Sequence, residues 1–216
     1  MNAYRMTHRA LFSGALALLI ALLVWPTSPG AFAAGGNLAG GNVMPGNASA
    51  LGYSLDDVAA ALAQFSDAGN DPTLLPSIPF QVIYDNGSDV FSVKTGTKLF
   101  VPILFVSDSP PVLGVYPSDQ SDLASYYFDP AQIGVEGAQI EVDGKVTDVG
   151  PDYIGAVFDV ALPNGGSDFS ELGVLLTPLN KGTHTITIRA AASGDLVLDT
   201  YGFPISFELT YTVNVK

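Results

Sequence analysis

The chain has 216 residues, 21 acidic against 8 basic ones, a net charge of −13 and no cysteine. The acidity disfavours nucleic acid and anionic membrane surfaces, which demand a basic patch. The missing thiols exclude disulfides, thiolate metal sites, a cysteine nucleophile and a lipid-anchored cysteine.

Arg5 and Arg9 precede an apolar run from Ala10 to Val24, and Ala31-Phe32-Ala33 offers small residues where a signal peptidase reads. Residues 1–33 are therefore predicted to be an export signal cleaved near Ala33. Its apolar part is about 15 residues, short of the roughly 20 of a spanning helix, so no membrane span is expected in the mature chain. Losing the two leader arginines takes the net charge from −13 to −15. Trp25, the single tryptophan, leaves with the leader. The expected destination is extracellular or periplasmic, and cysteine-free export favours a bacterial source. Residues 34–50 carry five glycines and no charge, which predicts a flexible leader.

Residues 51–216 read as a single domain, large enough to bury its own core. Leu55, Val58, Leu62 and Phe65 recur at steps of three and four, predicting a helix over about 54–66. Ser54 supplies its N-cap, and Asp56 and Asp57 suit the dipole of its first turn. Residues 121–127 read as a weaker helical turn or an irregular loop. From Phe80 onward, short β-branched and aromatic runs alternate with turn residues. Strands are predicted near 80–84, 90–94, 98–106, 138–142, 145–148, 154–161, 172–177, 183–191 and 205–215. Asp143-Gly144 marks a two-residue hairpin. The fold class expected is mainly β: an antiparallel β-sandwich of Greek-key, immunoglobulin-like or jelly-roll type with one short N-terminal helix.

Three blocks carry a resemblance: 96–104 (GTKLFVPIL), 142–146 (VDGKV) with Asp152-Tyr153, and 176–186 (LTPLNKGTHTI) with the closing 211–215 (YTVNV). Together they resemble a family of uncharacterised exported bacterial β-sandwich proteins, and more loosely an immunoglobulin-like module. The resemblance implies a fold and no activity.

His184 is the only histidine beyond the leader, which excludes multi-histidine metal sites. Its place at the start of a strand predicts a partner on a backbone carbonyl rather than a catalytic role. No Gly-x-Ser-x-Gly elbow occurs. Calcium is the one cofactor that the acidic loops suit. Asp85 and Asp89 of 85–89 are its candidate ligands, set against an ordinary polar turn; 118–122 is a second acidic run that could equally cap a helix. Tyr116, Tyr126, Tyr127 and Phe128 fall in a long connection and are the candidate contacts for a protein or glycan partner, unless they fold back over the domain. Three functions stay open: a secreted non-enzymatic module binding a partner or surface through its loops, a secreted carboxylate-dependent hydrolase, and a purely structural envelope component.

Overall fold

The computed structural model describes residues 41–216. The expected signal peptide and residues 34–40 lie outside them. Helix α1 (Leu55–Asp67) begins where the apolar spacing predicted. The Ser54 side chain accepts from Asp57 N, and the Asp57 carboxylate accepts in return from Ser54 N at 2.8 Å. This reciprocal cap satisfies donors that a first turn leaves open.

The strands are β1 (Phe80–Val82), β2 (Val90–Val93), β3 (Lys98–Ser107), β4 (Val135–Val142), β5 (Lys145–Asp148), β6 (Ile154–Val157), β7 (Phe169–Leu176), β8 (Gly182–Ala192) and β9 (Ile205–Val215). They form a four-stranded sheet, β1-β3-β7-β6, and a five-stranded sheet, β2-β9-β8-β4-β5. Residues of both sheets, among them Leu99, Val174, Ile140 and Ile188, share one buried apolar cluster.

Two features differ from expectation. Each sheet is mixed rather than antiparallel throughout, because β1 runs parallel to β3 and β2 parallel to β9. Two further α-helices accompany the N-terminal one: α2 (Gln120–Phe128) and α3 (Asp195–Tyr201). The acidic run at 118–122 caps α2, the Asp119 carboxylate accepting from Ser121 N at 2.7 Å. Helix α3 has only seven residues, too few to show a period, and ends at Gly202 in the left-handed conformation.

Residues 41–50 do not behave as a free leader. Thr177 N donates to Asn42 O and Met44 N to Leu175 O, both at 2.9 Å, while Val43 and Ala50 are buried. The arm thereby pairs with the end of β7 that β6, which stops opposite Leu172, does not reach.

Helix α1 lies on β6 and β7 of the four-stranded sheet. Small residues make the close approach. Ala59 and Ala63 pack with Phe169, and a Cβ on Gly155 would fall 2.2 Å from the Leu55 carbonyl oxygen. Asp56 fastens the start of the helix by accepting from Ala156 N at 3.0 Å. Asp67 fastens its end, accepting from Ser107 Oγ and Asn164 N, both at 2.9 Å. Gly155→Ala must push α1 off this seat, and we expect a loss of about 1–3 kcal/mol, read from denaturant unfolding. An unchanged midpoint would refute the seating.

Candidate functional site

The long connection between β3 and α2 is held at both ends. At its start, the Asp108 carboxylate accepts from Ser167 N at 2.6 Å and Asp168 N at 2.9 Å. Further on, the Tyr126 hydroxyl donates to Leu113 O at 2.6 Å, and the Tyr116 hydroxyl donates to Ser170 Oγ at 2.8 Å. The Tyr127 hydroxyl meets the same Ser170 oxygen at 3.1 Å. Tyr116 and Tyr126 pack edge to face with centroids 5.6 Å apart, and Tyr127 follows Tyr126 at 6.3 Å. From the other side, Leu196 of α3 packs onto Gly114, where a Cβ would sit 2.7 Å from its methyl carbon.

The four aromatic candidates are thus gathered into one cluster, but they are not equivalent. Tyr126 and Tyr127 are turned inward and buried; Tyr116 and Phe128 are half-buried against the core. Burial drives the Tyr126 hydroxyl up to about 12 and raises those of Tyr116 and Tyr127 well above the ordinary tyrosine value, so all three stay protonated. What the loop offers outward is Val115, 89% exposed at its tip. Beside it runs a shallow groove of about 360 Å³, lined by Pro117, Ser118, Asp122, Ser125 and Gln132.

A second recess of about 220 Å³ lies where the arm meets the first turns of α1 and α2, and it contains Asp56 and Asp152. One Asp56 oxygen is already taken by Ala156 N and by Gln120 Nε2 at 2.9 Å. A carboxylate hydrolase needs one acid held protonated beside another. The acid whose proton is held most tightly is Glu171 of β7, raised to about 8 by burial and only 2% exposed. It pairs with Gly155 and Phe105 on the α1 face of the sheet, away from the loop tip, and neither carboxyl oxygen has a hydrogen-bond partner among the described residues. Sequence reading missed it because the strand was expected to start at 172. The signal that could have found it is a lone glutamate in the otherwise uncharged run 169–176.

The calcium candidates sit in an exposed turn. Asp85 accepts from Gly87 N at 3.0 Å, and the Asp89 carbonyl accepts from Thr212 N at 2.7 Å. Burial first, then the charges of Asp85 and Asp89, raise the Tyr211 hydroxyl to about 12. Among the described residues no three His, Asp or Glu side chains gather as a metal site.

His184 is held from both sides, Nε2 2.7 Å from Asn180 O and Nδ1 2.6 Å from the Asp143 carboxylate. Asp143, at φ 50° in the β4–β5 turn, also accepts from Thr185 N at 2.9 Å. The bond to Asp143 raises the imidazole against the opposing cost of its burial. Burial works to raise Asp143 as well, but the bonds from His184 and Thr185 prevail and lower it. With both nitrogens engaged, the ring pins the hairpin turn to β8 and has no free nitrogen to act as a base.

No protein-family model matches the chain, and no curated protein is significantly similar to it. Among solved structures, the solution structure of amebosin aligns at 14% identity with a TM-score of 0.26, over 64% of this chain and 100% of that one. The cysteine protease inhibitor EhICP2 from Entamoeba histolytica aligns at 12% identity and the same TM-score of 0.26, over 65% of this chain and 99% of that one. TM-scores at this level do not establish a shared fold. No helix among the described residues is long and apolar enough to cross a membrane.

Proposed function

We propose that the protein is a secreted, non-enzymatic β-sandwich module that binds a protein partner through the connection between β3 and α2. The sandwich reading is supported by the buried cluster that both sheets share. Secretion is supported by the basic and apolar leader with its small-residue cleavage site.

The observation that carries the binding role is Val115, an isopropyl group 89% exposed on a loop that Asp108, Tyr116 and Tyr126 hold in place. A flexible loop would lose conformational freedom on docking; a braced one has already lost it. The inward turn of Tyr126 and Tyr127 favours a protein over a glycan, since a sugar needs an open ring face.

A photo-crosslinking residue at position 115, with one at exposed Val146 of β5 as control, tests the role in the source cells and their medium. A discrete adduct from position 115 alone, displaced by excess unlabelled protein, is expected. Equal labelling from both positions, or none from either, overturns the proposal.

A further inference from the structure

We propose that Asn86 is a self-modifying residue, its side-chain amide lost by attack of the Gly87 backbone nitrogen, with Asp85 and the Ser88 N–H serving as built-in catalytic groups. The turn is exposed throughout 85–90, and the space where a Cβ of Gly87 would lie is open for 4 Å. The glycine therefore offers no steric barrier to its own nitrogen closing on the neighbouring side chain.

Two hydrogen bonds prepare the two reacting groups. The Gly87 N–H donates to Asp85 Oδ1 at 3.0 Å, which places a carboxylate on the proton that the nucleophile must lose. The Ser88 N–H donates to Asn86 Oδ1 at 2.9 Å, which draws charge from the carbonyl under attack and steadies the negative oxygen that forms. In the reaction, the Gly87 nitrogen bonds to Asn86 Cγ and its proton passes to Asp85. The Cγ–Nδ2 bond then breaks, and Nδ2 takes that proton and departs as ammonia, leaving a five-membered succinimide. Water opens the ring to aspartate or to its isomer with the main chain routed through Cγ. Nothing is oxidised or reduced, and water is the only co-reactant.

The molecule contains its own comparison. Asn164-Gly165 is the same dipeptide, but the Gly165 N–H donates to the neutral Leu162 carbonyl at 3.1 Å instead of to a carboxylate. The Asn164 backbone N–H and its side-chain Nδ2 are both tied to Asp67, at the buried end of α1. The reactive arrangement of the first pair is absent from the second.

Peptide mass mapping of the purified protein, incubated at neutral pH while folded and in concentrated urea, tests the assignment. In the folded protein, residue 86 should gain the one dalton of deamidation and residue 164 should not; in urea the two should converge. Asp85→Ala should slow the folded-state reaction roughly tenfold, below the hundredfold or more of an enzymic base because this site is wet, and leave the rate in urea unchanged. Asp85→Asn, which keeps an acceptor for Gly87 N–H, serves if the alanine variant misfolds and should also slow it. A folded-state rate at residue 86 no greater than in urea, or one indifferent to both substitutions, overturns the proposal.

Discussion

The folded chain should lose stability as the pH rises from about 5 to about 8, and Glu171→Gln should flatten that slope. Burial holds the Glu171 carboxyl at about 8 against an ordinary 4.5. Between those values the folded state keeps a proton that the unfolded state has released, so each pH unit removes up to about 1.4 kcal/mol. Above about 8 both states are ionised and the slope ends. Among the described residues no cation offsets the charge: β3 and β6 set Phe105 and Gly155 beside it, and the apolar face of α1 includes Leu55, Val58, Ala59 and Leu62. The carboxylates of α1 are Asp56 and Asp57 in its first turn and Asp67 at its end, and a further titratable group that feels this charge is Tyr127, whose hydroxyl the glutamate helps to raise. Urea unfolding of both proteins over this range checks the result. Parallel curves would mean that Glu171 is charged, or wet, in the folded state.

Tyr127→Ala should cost about 3–5 kcal/mol, the range for emptying a large buried aromatic site. Its side chain is fully buried, and its hydroxyl closes the network that Ser170 shares with Tyr116. Tyr127→Phe should cost only about 1 kcal/mol, because Ser170 keeps its bond from Tyr116. Thermal unfolding measures both. Limited proteolysis adds a local readout, since only the alanine variant should open the 108–119 segment to cleavage ahead of global unfolding. Equal losses in the two variants would place the value of this residue in its hydroxyl rather than in its ring.

Much of the secondary structure was legible because alternation and turn residues are local signals. The paired threonines opposite Ile186 and Ile188 mark β8, and Asp143-Gly144 marks the β4–β5 turn. The ends of strands were less legible. The 154–161 run stops at Val157 because Asp159 adopts φ 57°, and β4 begins early at Val135, ahead of an irregularity at Gly137 with φ 60°. Parallel pairing of β1 with β3 was invisible, since no short-range pattern states which distant strand a run will join. The aromatic cluster at 116–128 could be named from its composition, but which rings face inward depends on Ser170 and Leu113, which only the fold brings to them.

The arm of residues 42–44 moves the boundary of the folding unit. Because Val43 pairs with Leu176, a chain shortened to begin at Leu51 would leave the last residues of β7 as a bare strand edge, open to another copy of itself. Residues 42–44 therefore belong to the folding unit itself, covering the length of β7 that β6 leaves open.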